Sequence, residues 1–268
     1  MTANGVVSAE LAPPSICSAV LAVCRHELRS LLFQPLCYLY QIGFLLALTA
    51  CIFLVADFYS TDQATLRLMV VYLPWVALIL VPALAMRTWP DEHGDRSVEL
   101  AMTLPLGAGS LVAGKFLAGF AVLLIVLLFS SPFALTVAYL GEPDLGAMTA
   151  TYAAGALLLG TYYALAMLCA VLAREAIGAF VVALVVLFAL LLVGWDVLTP
   201  LLKQTFPTAV IDTVSLYSPA VWFERMSRGW IDVGAMTYFL AIMAAALWTT
   251  CRVVAARRGG PLLSAAGG

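Results

Sequence analysis

Six apolar runs of about 20 residues recur along the chain, near 36–55, 68–86, 116–140, 148–173, 176–195 and 233–251. Each is long enough to carry an α-helix across a hydrocarbon core of roughly 30 Å. The polar stretches between them are mostly short, so the pattern predicts an all-α polytopic membrane protein with six transmembrane helices. Residues 1–14 are small, polar and end on Pro13-Pro14, and residues 259–268 are rich in glycine and alanine. Both ends read as flexible tails around one transmembrane domain spanning 15–258.

Three polar stretches depart from simple connection. From Ser15, an N-cap type, to about Leu32, Val20, Cys24, Leu28 and Leu31 form one helical stripe. Ser18, Arg25, His26 and Arg29 lie opposite. A helix split in this way lies in the interface plane, and Gln34-Pro35 then turns the chain into the bilayer. Residues 196–232 are too polar to cross but keep Trp195, Phe206, Tyr217, Trp222, Phe223 and Trp230, an interfacial aromatic set. That segment predicts one or two short helices capping the bundle.

The third stretch, from Arg87 to Lys115, is the most densely charged between two spans. Pro90 suits the first turn of a helix, where Asp91 and Glu92 meet the positive end of its dipole. Val98, Leu100, Ala101 and Leu104 give it an apolar face, with Arg96 and Glu99 beside that face. Pro105, Gly107 and Gly109 end it. The pattern predicts a short amphipathic helix over Asp91–Leu104, projecting from the bundle toward something outside it.

Within the spans, Pro74 and Pro82 should bend the second, and Pro132 stands behind Ser130 and Ser131 in the third. Ala156, Gly160 and Ala164 recur every fourth residue and form a small-residue ridge for close helix contact. With both termini inside, nine basic residues fall on the cytoplasmic side (Arg25, Arg29, Arg87, Arg96, Lys115, Arg174, Arg252, Arg257, Arg258) and four outside (Arg67, Lys203, Arg225, Arg228). The positive-inside rule then places both termini and the Arg87–Lys115 loop in the cytoplasm.

Composition agrees with this class and narrows the chemistry. The 268 residues are 64% hydrophobic and 10% charged, with a net charge of −2, so nothing motivates a nucleic-acid partner. Six scattered cysteines lack ligand spacing and read as small hydrophobes. His26 and His93 are the only histidines and sit in separate segments, so no metal site is expected. Gly109 to Lys115 spells GxxxxGK, but Phe116 stands where a phosphate-binding loop needs Ser or Thr, and no strand precedes it. The expectation is a flexible loop whose lysine snorkels at the start of a span, in a chain that does not itself hydrolyse ATP. None of the six runs carries Asp, Glu, Lys, Arg or His in its interior. That speaks against an ion-coupled carrier and against an intramembrane enzyme.

Several motifs, taken in order, resemble ABC-2 type transporter permeases, most nearly their gliding-motility (GldF-like) branch. They are Tyr72-Leu-Pro-Trp75, Val81-Pro82-Ala-Leu-Ala-Met86-Arg87, Asp91-Glu92, Glu99-Leu100, Thr103-Leu104-Pro105 and Gly114-Lys115. Arg25-His-Glu27-Leu-Arg29-Ser30 with Pro35 resembles that branch's elbow helix. Tyr217-Ser-Pro219, Phe223 and Ser227-Arg-Gly229-Trp-Ile-Asp232 resemble the segment before its last span. The likeness covers about 16–256 and departs at Pro90 and at Arg96-Ser97. It implies an elbow helix carrying Arg25, Glu27 and Arg29. It also implies a coupling helix drawing on Arg87, Asp91, Glu92, Arg96, Glu99, Leu100 and Leu104. The implied partners are two ATPase subunits holding Mg-ATP, a second permease subunit in a homo- or heterodimer, and membrane lipid. The implied setting is a bacterial inner membrane and the implied activity is export, with no cofactor in this chain. A scaffold or assembly factor on the same fold is the alternative.

Overall fold

The computed structural model describes residues 16–55, 66–89, 107–140, 144–173, 175–194, 217–229 and 232–259. These form nine α-helices and no strand: α1 (Ile16–Phe33), α2 (Pro35–Ala50), α3 (Arg67–Ala85), α4 (Ala108–Phe129), α5 (Ser131–Leu140), α6 (Leu145–Leu172), α7 (Ala176–Val193), α8 (Pro219–Met226) and α9 (Val233–Gly259). A π-helical turn, Cys51–Val55, extends α2. Six helical stretches are long and apolar enough to cross a membrane: Pro35–Leu54, Arg67–Ala85, Ala108–Leu140, Leu145–Leu172, Ala176–Val193 and Val233–Arg257. The chain is an all-α polytopic membrane protein.

Local chemistry accounts for several boundaries. Pro35 occupies the first turn of α2, where its missing N–H costs nothing. The Asp144 carboxylate accepts from the Gly146 N–H at 2.8 Å and caps α6, and Asp232 does the same for Gly234 at the start of α9. Pro74 and Pro82 both sit inside α3, which nevertheless runs unbroken. The third span does break, at Ser130. There the Tyr152 hydroxyl donates to the Ser130 carbonyl at 3.1 Å, while Ser130 Oγ donates to the Leu127 carbonyl at 2.6 Å. These bonds satisfy backbone groups that lipid cannot.

The centre of the bundle is α6. It packs against α3, α4, α7, α8 and α9, and Ala154, Leu158, Leu159, Tyr162, Ala164, Ala166, Met167 and Ala170 are wholly buried. Short α8 lies at the far end of the bundle, with Phe223 and Met226 turned inward. Its Trp222 stacks on Tyr238 of α9, with centroids 5.3 Å apart. The opposite end gathers α1, the end of α3, the start of α4 and the end of α9, where Cys251 Sγ approaches Gly109. The helix α1 lies along α4 with Ala19 buried and Leu28 and Leu31 against the core, leaving Ser18, Arg25, His26 and Arg29 exposed.

One expectation is corrected. The third span begins at Ala108 and not near Phe116, so Gly109 to Lys115 is helix and not flexible loop. The glycines are accommodated because Gly114 lets α1 come close. A Cβ there would stand 2.6 Å from Val23 Cβ and 3.1 Å from the Val20 carbonyl oxygen. In a membrane, small residues at such crossings let dispersion contacts form that bulkier ones forbid.

Candidate functional site: a buried cation at the foot of the first long loop

The shift in the start of α4 places Lys115 two turns inside a helix, and its ammonium is buried. Its side chain is 5% exposed, and among the described residues no other Asp, Glu, Lys or Arg is buried. An ammonium in such surroundings requires compensating partners, because desolvation costs several kcal/mol. Three are present. Glu27 of α1 forms an ion pair with Lys115 Nζ at 3.0 Å, and Nζ also donates to the Thr88 carbonyl at 3.1 Å. The buried Trp89 ring lies 5.2 Å from Nζ, within cation–π range.

The site joins four helices. Thr88 and Trp89 follow the end of α3, Lys115 belongs to α4, and Glu27 belongs to α1. The fourth is α6, through Tyr163, whose hydroxyl is 3.4 Å from Thr88 Oγ1. Tyr163 reaches that position by lying directly over Gly119 of α4, where any Cβ would collide with the phenol. Phe116 packs on Tyr163 at 5.9 Å and stacks on Phe120 at 5.6 Å, sealing the side toward the bundle. The arrangement holds a charge in place and excludes water. Among the described residues no three His, Cys, Asp or Glu side chains converge as metal ligands would.

Of the residues singled out from sequence, Arg87 is exposed one residue before Thr88. Asp91, Glu92, Arg96, Glu99, Leu100 and Leu104 lie outside the described residues. Arg25 and Arg29 are exposed on α1, whereas Glu27 turns inward to Lys115. On the α6 ridge, a Cβ on Gly160 would stand 2.9 Å from Phe120 and 3.0 Å from Met243. Ala164 is wholly buried and Ala156 is half-buried.

Lys115 does not snorkel as expected; of its partners, only Glu27 is singled out by the sequence, as part of the elbow helix that the resemblance implies, and Thr88 and Tyr163 are not. One signal was available. Glu27 falls at the helical spacing of Val20, Cys24 and Leu31, so the only acid of α1 sits on its apolar stripe. An acid in that position calls for a buried cation, and Lys115 stands at the head of a long apolar run.

No curated protein matches the chain in sequence. The model of the family described as ABC-2 family transporter protein matches residues 21–256, taking in all the described spans and the whole buried node. The chain therefore belongs to the ABC-2 transporter family, as a membrane permease component.

Proposed function

We propose that the chain is the membrane-spanning subunit of an ATP-driven exporter in a bacterial inner membrane, with both termini cytoplasmic. In this reading two permease subunits work with two separate ATPase subunits. A helix over Asp91–Leu104 docks on the ATPase through Leu100 and Leu104, with Glu92 and Glu99 seeking basic partners. The observation that carries this reading is the Lys115 node. The two flanks of the 87–107 connection, Thr88-Trp89 and α4, are tied to each other and to α1 and α6. A displacement delivered to that loop would therefore reach the central helix through fixed contacts, not through a slack linker.

The charge distribution supports an external energy source. Among the described residues the one buried full charge is neutralised at the bundle's end, and no unpaired carboxylate sits deep in a span to bind a driving ion. The interior offers hydroxyls instead, among them Tyr162 and Thr161.

The test begins with the native complex, isolated in mild detergent and assayed for ATP hydrolysis and for its subunits. An ATPase subunit should co-purify. Glu99→Ala and the Leu100→Asp/Leu104→Asp pair should weaken its retention while leaving the permease inserted. A complex lacking any nucleotide-hydrolysing subunit, or one whose ATPase is held unchanged by both variants, overturns the reading.

A further inference from the structure

We propose that the outward face of α1 binds the headgroup of an anionic phospholipid. Ala22, Arg25, His26, Arg29, Ser30 and Phe33 line an open groove of about 460 Å³ along this face. Their spacing is that of one helical stripe. Two features make the groove specific for negative charge. The only carboxylate of α1, Glu27, is withdrawn to the opposite face and consumed by Lys115. Among the described residues no acid pairs with Arg25 or Arg29. The stripe is thus cationic at its middle and uncompensated, with Ser30 adding a hydroxyl.

The ends of the stripe supply the rest of an amphipathic site. Phe33 is 86% exposed at one end and Leu21 is 65% exposed near the other. Exposed aromatic and aliphatic groups flanking arginines are the composition of a helix seated at the headgroup level of a bilayer. Arginine forks suit a phosphodiester bidentately, and two of them one turn apart could share one phosphate or hold a phosphate and its headgroup. The occupant fitting both parts is a lipid, because a soluble anion would leave Phe33 and Leu21 in water.

This inference goes beyond the transport reading and does not depend on it, since binding is read without any ATPase. The full-length chain is reconstituted in bilayers containing equal amounts of phosphatidylglycerol and phosphatidylcholine. It is then extracted in neutral detergent, and the retained lipid is quantified by native mass spectrometry. Phosphatidylglycerol should be enriched over the mixture. At roughly fivefold per arginine, R25Q/R29Q should lower its retention about 25-fold. R25K/R29K should keep most of it, and R252Q/R257Q, which removes two charges elsewhere, should leave it unchanged. Arg25 and Arg29 are exposed, so these variants should elute as the parent does on size exclusion. The proposal is overturned by any of three results: no enrichment in the parent, enrichment that survives R25Q/R29Q, or displacement of the lipid by millimolar inorganic phosphate. Loss of an acidic soluble protein from R25Q/R29Q with lipid retention intact would also overturn it, by making the face a protein contact.

Discussion

Helices α6 and α7 are consecutive spans, yet they occupy opposite situations. In α6, 72% of the span is buried; in α7 only 22% is. The buried helix is not the more apolar one. Helix α7 is almost entirely valine, leucine, isoleucine, phenylalanine and alanine, whereas α6 contains Thr151, Tyr152, Gly155, Gly160, Thr161, Tyr162 and Tyr163. Water-based intuition would put α7 in the middle. In a bilayer, lipid tails satisfy α7 as well as protein does, so hydrophobicity drives no burial. Small residues that permit close approach, and hydroxyls that need partners, decide the centre. Only one stripe of α7 is buried (Ala179, Ala183, Leu187, Leu191), while Ile177, Val185 and Phe188 face outward.

The largest expected effect separates the two helices by a glycine in each. Gly160→Leu drives its side chain into Phe120 and Met243. It should destabilise by about 3 kcal/mol, the upper range for overpacking, with loss of assembled protein in detergent. Gly178→Leu in α7 meets nothing within 4 Å and should be silent. Equal unfolding midpoints for the two variants would break the comparison.

The same logic extends to two ion pairs at opposite ends of the molecule. Lys115→Ala leaves Glu27 facing an emptied node. Breaking a buried pair costs about 3–5 kcal/mol; because Glu27 is 26% exposed, about 2–3 kcal/mol is expected here. The double change Glu27→Leu/Lys115→Met should recover most of that stability, while, on the ATP-driven function proposed above, hydrolysis by the complex should lose its coupling to transport. Arg228→Ala breaks the exposed Glu224–Arg228 pair at 3.0 Å and should cost less than about 1 kcal/mol. Thermal unfolding of all three variants in one detergent checks the ordering, and a fully coupled double variant would remove the node's role.

Leu187→Ala on the inner stripe of α7 should cost about 2 kcal/mol, the low end for such truncations, because lipid removes the hydrophobic part and leaves lost packing. Val185→Ala on the outer side should change nothing measurable. The smallest measurable loss is expected for Tyr152→Phe. It deletes the bond to the Ser130 carbonyl and should cost about 0.6 kcal/mol, typical of hydrogen bonds between membrane helices. A larger loss would mean that the break between α4 and α5 depends on that hydroxyl.

The six spans were legible because a run of apolar residues is a one-dimensional property, and the bilayer imposes it directly. The two faces of α1 were legible too, since a 3.6-residue period separates Val20 and Leu28 from Arg25 and Arg29. The position of Lys115 was not. A lysine that follows Gly109, Gly107 and Pro105 resembles loop chemistry, and its burial is made tolerable by partners distant in sequence, among them Glu27, the Thr88 carbonyl and the Trp89 ring. The same limit hid the break at Ser130, whose stability rests on Tyr152 of another helix. The charged segment around Asp91 and Glu99 drew attention in the sequence, while the packing is organised around α6, whose residues are individually unremarkable in composition.

Two neighbouring residues of α4 act on α1 in different ways. Gly114 is a notch that receives Val23, and Lys115 is a charge that receives Glu27, one turn further along α1. A steric fit and an electrostatic fit at adjacent levels form a keyed joint with a single register. Sliding α1 by one turn would withdraw Val23 from the notch and strand both charges together. The two helices should therefore travel as one solid piece, and any working stroke must bend the molecule somewhere else.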